Sequence, residues 1–369
     1  MRWLGFTLLA AGCVAAACWG PAQLWPTTAA PDGVYGRAGD GPSGLALLSA
    51  QAEKGALQAD VPRPASAANP PSPASPPVTA VAEPFLPEVA EAACTTLLPR
   101  LPGLSRAQCV ATRLQASGAL SRQGAPLYWR DVPSHADAAA KGQPAAEPLR
   151  VLVVGAMHGD ELTAASLALR WIGMAAAEGA VDADEPAPVH WRFIPVLNPD
   201  GLLAPKPTRV NAGGVDLNRN FPTPGWAEEA PVYWEKRTRK DPRRWPGHTP
   251  LSEPESRFLH QQMDQFQPQL VVSIHAPYGV LDFDGPHDPP LRLGRLRMDK
   301  LGVFPGSLGH YGGLHRGVSV VTIELEHALR MPPDAEVRAM WRDLRHWMNT
   351  RLLDGADAVA GVKPPGLRR

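Results

Sequence analysis

The chain has no surplus of either charge. Lys plus Arg number 36 and so do Asp plus Glu, giving a formal net charge of zero across 369 residues. A neutral chain has no global field to gather nucleic acid or an anionic membrane, so binding to polyanions is not expected. Cysteine is also scarce: of four, two lie within the first twenty residues, leaving Cys94 and Cys109. Two cysteines are too few for a disulfide scaffold, and a folded core must hold the chain together. In an oxidising compartment this pair can close a short loop; in a reducing one it remains as two buried thiols.

The N-terminus carries one arginine, an apolar run slightly short of a membrane span, and small residues up to Ala15-Ala16-Ala17. This is the layout of a secretory signal, so residues 1–20 are expected to direct export to the periplasm. An uncleaved anchor, or a lipoprotein signal using Cys13 or Cys18, are the alternatives, and either would attach the chain to a membrane. Residues 21–87 are rich in Ala, Pro and Ser, a composition that buries too little apolar area to offset its ordering entropy. They are expected to be a disordered tether. Residues 88–120 carry Leu97, Leu98, Leu101, Leu104, Val110 and Leu114 near helical spacing and are read as a short α-hairpin pinned by Cys94 and Cys109. The main folded domain is placed at 121–355, with a tail at 356–369.

Inside that domain, apolar runs at 149–156, 189–197, 270–275 and 318–326 predict strands, and 163–177 and the stretch after Ser252 predict helices. Strand, helix, strand at these lengths indicates crossover units. The fold class is therefore α/β, a mixed, mostly parallel twisted sheet with helices on both faces. Residues 223–254, rich in Trp, Pro and charge, read as a long surface loop.

Two of the strands end alike. The first runs into His158-Gly-Asp-Glu161 and another into His275. Imidazole nitrogen and carboxylate oxygen are both good Zn²⁺ donors, and open α/β sheets place ligands at the C-terminal ends of their strands. His158, Glu161 and His275 are the expected metal set. A loop at 208–222 holds Arg209 and Arg219 among Asn and Gly; each could clamp a carboxylate or pair with a local Asp or Glu. On the strand at 318–326 a period of two puts Thr322, Glu324 and Glu326 on one face, and a carboxylate on an apolar strand needs a partner or a function.

Together these residues resemble the zinc metallocarboxypeptidases of the carboxypeptidase A fold. His158-Gly-Asp-Glu161 with His275 is similar to that family's HxxE…H set, Gly214-Val-Asp-Leu-Asn-Arg-Asn220 to its substrate-carboxylate motif, and Thr322-Ile-Glu-Leu325 to its catalytic glutamate strand. Asn198-Pro-Asp-Gly201 and Thr249-Pro-Leu-Ser-Glu-Pro-Glu255 look most like the bacterial murein tripeptide amidase branch. The resemblance implies one Zn²⁺ per chain, with Glu324 as base (Glu326 is the alternative) and Arg209 steadying the oxyanion. It further implies Asn218 and Arg219 on the substrate carboxylate, and Asp216 orienting His158 from behind. Tyr311, in a Gly-rich loop, is a candidate substrate contact, and Asp160 a selector of a substrate amine or a helix cap. The implied substrate is a small peptide from peptidoglycan, cleaved at an amide beside a free carboxylate by a monomeric enzyme. An N-acyl amino acid deacylase sharing the HxxE…H core, and a non-catalytic wall-peptide binder, are the rival readings.

Overall fold

A computed structural model of the protein describes residues 86–134, 147–178 and 188–353. The expected signal, tether and C-terminal tail lie outside the described residues. All that is described falls in one compact unit, Thr79–Arg369. Two helices come first, α1 (Pro87–Leu97) and α2 (Arg106–Ala111), followed by strands β1 (Gln115–Leu120), β2 (Pro126–Val132) and β3 (Leu149–Val154). Then come α3 (Leu162–Glu178), β4 (Val189–Ile194), α4 (Pro199–Leu203), α5 (Trp226–Lys236), α6 (Pro254–Phe266), β5 (Leu270–His275) and β6 (Val280–Asp284). The last elements are the short pair β7 (Arg292–Leu293) and β8 (Leu296–Arg297), then β9 (Ser319–Glu324) and α7 (Asp334–Trp347).

Seven strands form one mixed sheet in the order β1-β2-β4-β3-β5-β9-β6. The four central strands are parallel, and both edges are closed by antiparallel pairings. Successive residues of a strand face opposite sides, which divides the core in two. Val151, Val153, Val272 and Ile323 pack with Leu167 and Trp171 of α3 and with Trp341 and Leu344 of α7. Leu152, Val154, Val271 and Val320 face the other way, onto Phe258, Leu259 and Met263 of α6. Each such buried side chain contributes about 1.5–3 kcal/mol relative to exposure.

On the α6 side the apolar rows stop before the strands do. Val271 is followed on its face by Ser273 and His275, and Val320 by Thr322 and Glu324. That change from apolar to polar at the C-terminal ends makes the site. Parallel pairing sets His275 beside Glu324.

The cysteines form a disulfide joining α1 to α2. This segment is packed into the main core through Ala93, Leu97 and Leu101. Its end is not helical as expected: Gln115–Leu120 is the edge strand β1, with every second residue exposed. The presumed surface loop 223–254 also contains a helix, α5. Pro231 conceals it, because an interior proline lacks an N–H yet is tolerated here. Among the described residues no helix is long and apolar enough to cross a membrane.

The two turns that flank the sheet's working edge touch through backbone. A Cβ on Gly159 would lie 2.2 Å from the carbonyl carbon of Gly201 and 2.3 Å from Leu202 N. The glycine of the His-Gly-Asp-Glu turn is thus required by the Asn-Pro-Asp-Gly turn packed on it. Gly159→Ala is expected to lower stability by about 2 kcal/mol or more and to weaken metal binding at once, read as a lower urea midpoint and a lower zinc content. An unchanged midpoint would contradict this packing.

Candidate active site

His158 and Glu161 sit on the turn after β3, and His275 is the last residue of β5. Their side chains converge. His158 Nδ1 lies 2.9 Å from Glu161 Oε1, and His275 Nδ1 lies 3.1 Å from His158 Nδ1 and 3.0 Å from Glu161 Oε2. All three residues are buried.

The outer ring nitrogens explain which atoms face inward. His158 Nε2 donates to Asp216 Oδ1 at 3.0 Å, and His275 Nε2 is paired with Ser273 Oγ at 2.9 Å. With those protons directed outward, two imidazole lone pairs and a carboxylate meet in one buried space. Only a proton or a metal cation resolves that arrangement. Ligand atoms about 2.0–2.1 Å from a tetrahedral zinc lie about 3.3 Å apart, so the spacing here and the His₂Glu donor set both fit Zn²⁺. Burial alone would raise the Glu161 carboxyl, but the two imidazoles outweigh it and hold it well below the usual carboxylate range. Burial pushes His275 down, leaving it neutral and ready to ligate.

Asp216 is fully buried and uses both oxygens. Oδ1 takes His158 Nε2 and the Asn218 backbone N–H at 3.0 Å, and Oδ2 takes Arg209 Nε at 3.1 Å. Arg209 also reaches Glu161 Oε1 at 3.4 Å. Of the two arginines, Arg209 is thus the one paired with local carboxylates. Arg219 has no carboxylate in salt-bridge range among the described residues. It is buried, stacks on Phe304 at 4.5 Å, donates from Nη1 to Asn218 O at 2.6 Å, and leaves Nε without a partner. Burial lowers its guanidinium to about 10, still charged at neutral pH. The charge of Asp216 acts on it from beyond salt-bridge range, and the unpartnered Nε is a place for an anion. Asn218 Oδ1 accepts from Leu308 N at 2.8 Å, which leaves its amide nitrogen as a second donor there.

Glu324 is 7% exposed, and its Oε2 is buried without a partner. Burial first, and the charge of Glu161 second, push it up to about 8. Glu326 is exposed and packs near Gly279 outside the strand, so the two glutamates are not equivalent.

Tyr311 is not brought to this cleft. It is 3% exposed in the α6-side core, stacked on Phe221 at 5.6 Å, with its hydroxyl 2.5 Å from His260 Nδ1 and accepting from Arg316 at 2.9 Å. The glycines around it mark close packing and not a loop. Gly309–His315 is a wide helical turn, and a Cβ on Gly313 would meet the Asp284 side chain and backbone at 2.4–2.6 Å. Asp160 caps nothing: its carboxylate pairs with Arg243 at 2.8 Å. Sequence reading missed Ser273 and Arg243. Ser273 could have been found, since it is two residues before His275 on one strand face; Arg243, eighty residues from its partner, could not.

The geometry has counterparts among known proteins. A family profile described as zinc carboxypeptidase matches residues 111–284. Murein peptide amidase A of Vibrio campbellii is 30% identical over 219 residues, covering 55% of this chain and 75% of that protein. The chain belongs to the zinc carboxypeptidase family. Within the family, murein peptide amidase A of Escherichia coli K12 is 34% identical over 164 residues, 43% of this chain. That match spans 57% of the Escherichia coli protein's length. Among solved structures, murein-tripeptide amidase from Escherichia coli O157 aligns with 69% of this chain and 93% of that chain at 24% identity, with a TM-score of 0.42.

Two outcomes are expected of this site. Asp216→Asn removes the charge that holds His158 and Arg209, and should weaken zinc binding by about 10–100-fold in chelator competition; equal affinity would contradict the arrangement. In the metal-free protein, Glu324 holds a proton up to pH about 8 when folded but releases it near 4.5 when unfolded. The folded state therefore binds more protons between those values, and stability falls as pH rises from about 5 to about 8. Glu324→Gln should lose that component, so the urea midpoints of parent and variant diverge across this window; parallel curves would contradict it.

Proposed function

We propose that this chain is a zinc-dependent hydrolase that cleaves an amide bond next to a free carboxylate in a peptidoglycan-derived peptide, at the γ-D-glutamyl–diaminopimelate bond. The observation that carries the reading is the convergence of His158, Glu161 and His275 lone pairs beside Glu324, whose buried Oε2 has no partner. The similarity to murein peptide amidases supports the substrate class.

When bound, zinc supplies Lewis acidity, polarising an amide carbonyl and lowering the pKa of water toward neutrality. The protein's own groups do the rest. Glu324 accepts the proton of the attacking water at Oε2 and passes it to the departing amine. Arg219 and Asn218 hold the free carboxylate, which fixes the amide that reaches the metal. Arg209, tied to Asp216, offers its remaining N–H groups to the developing oxyanion. Asp216 and Ser273 keep both imidazoles turned inward. A carboxylate-terminated peptide fits this set; the buried Arg219, whose Nε has no partner, is the feature that favours it.

We further propose that the protein acts outside the cytosol. The signal-like N-terminus supports export to the periplasm, by cleavage or with membrane attachment through that segment, and the Cys94–Cys109 bridge supports an oxidising compartment. We take the working form to be a monomer with one zinc per chain.

The test is incubation of the zinc-loaded protein with L-Ala-γ-D-Glu-diaminopimelate, with products followed by mass spectrometry. Free diaminopimelate should appear, disappear with a chelator, and fall by about 10²–10⁴ in rate with Glu324→Ala. No release from the metal-loaded protein would remove this assignment.

A further inference from the structure

A second cationic rim borders the metal turn from outside the sheet. Residues 241–246 are firmly built in. Asp241 Oδ1 caps the turn Pro242–Arg244 by accepting from Arg243 N at 2.9 Å. Asp216 N donates to Trp245 O at 2.8 Å, and Asn220 Nδ2 to Pro246 O at 2.8 Å. The segment is thus anchored to the loop that carries Asn218 and Arg219. It presents Arg243 and Arg244.

Arg243 Nη2 donates to Asp160 Oδ2 at 2.8 Å, and Asp160 lies between the ligands His158 and Glu161. The Arg243 side chain is 57% exposed. Arg244 is a charged neighbour of Arg219, and its own acidic partner, Asp241, is 3.8 Å away. The chain as a whole is neutral. Four arginines, Arg209, Arg219, Arg243 and Arg244, nevertheless lie on the loops beside the candidate metal turn.

An exposed ion pair adds little stability, so it does not by itself account for an arginine held against the metal turn. A guanidinium carries five N–H donors in a planar fork, and the Asp160 bond uses one. The remaining donors can take a carboxylate in two-point geometry without breaking that bond. Arg219 and Asn218 provide for one substrate carboxylate; Arg243 provides for another.

We propose that Arg243, held by Asp160 and flanked by Arg244, is a specificity residue that binds a second carboxylate of the substrate, so that the enzyme prefers dicarboxylate acyl-amino compounds. For the class of substrate this rests on the wall-peptide reading above. There, the second carboxylate is either the free α-carboxylate of the γ-linked glutamyl residue or the far carboxylate of diaminopimelate. A role confined to pinning the rim to the metal turn is the structural alternative, and it has no charge selectivity.

Binding separates these without turnover. Zinc-loaded Glu324→Gln protein is titrated by calorimetry with three peptides: L-Ala-γ-D-Glu-diaminopimelate, its form amidated at the glutamyl α-carboxylate, and its form amidated at the far diaminopimelate carboxylate. N-succinyl-L-alanine and N-butyryl-L-alanine form a second pair that differs only in the extra carboxylate. One amidation should weaken binding by about tenfold or more, which also identifies the source; where it is the glutamyl amidation, succinyl-alanine should exceed butyryl-alanine similarly. Adding Arg243→Gln should collapse both gaps, with zinc content and thermal midpoint unchanged. Adding Asp160→Asn should widen them by removing a competing negative charge, whereas a pinning role predicts equal loss for acid and amide. Gaps that survive Arg243→Gln, or acid and amide binding alike in the parent, overturn the proposal. If no wall peptide binds but succinyl-alanine is favoured through Arg243, the wall-peptide reading fails and the subsite stands. If the active protein cleaves the wall peptide but every acid and amide pair binds alike, the reading stands and the subsite fails.

Discussion

The carboxylate of Asp216 is the constraint on which the site depends. It is completely buried and would be intolerable there as a lone charge. Its two oxygens are shared by His158, Arg209 and the Asn218 backbone, one from each part of the proposed machinery: metal ligand, oxyanion donor, carboxylate loop. Burial would raise this carboxyl, but Arg209 and then His158 hold it well below the usual range. It is therefore ionised whenever the protein is folded, and its geometry is transmitted to all three partners. Breaking one partner out of such a buried set costs about 3–5 kcal/mol, which is why the arrangement is rigid.

The sheet supplies the other half. A parallel pair places His275 and Glu324 side by side at the strand ends, and the α6 face changes from valine to polar residues one row earlier. Below that row the side chains pack; above it lie the proposed metal ligand and base. Two backbone turns close on each other at Gly159 and Gly201, so the loop after β3 and the loop after β4 cannot move independently. The proposed metal turn, carboxylate loop and base thus rest on one floor, with Arg243 bonded to Asp160 at its rim.

Much of this was legible in the sequence, for an identifiable reason. His275 and Glu324 each end an apolar strand, where a polar residue is conspicuous, and His158 and Glu161 stand on the turn that follows one. Asp216, Asn218 and Arg219 stood in a motif. What escaped lacked periodic contrast or local cause. Tyr311 was misplaced because clustered glycines read equally as mobile loop or as tight packing, and only the neighbour across the gap, Asp284, decides between them. α5 was hidden by Pro231, β1 by leucines at helical spacing ahead of it, and the Asp160–Arg243 pair by its eighty-residue separation. Residue chemistry alone left Arg209 and Arg219 alike, and only the family resemblance separated them; in the structure Arg209 pairs with Asp216 and Glu161, whereas Arg219 has no carboxylate in salt-bridge range among the described residues.

The most direct test of the account is the coordination of the metal itself. X-ray absorption of protein loaded with one equivalent of zinc should show a single site of nitrogen and oxygen donors at about 2.0–2.1 Å, with scattering from two imidazoles, and His275→Ala should reduce that to one. Stoichiometric zinc whose imidazole count is unchanged by His275→Ala, or a shell containing sulfur, would contradict the His158–Glu161–His275 centre and the functional reading built on it.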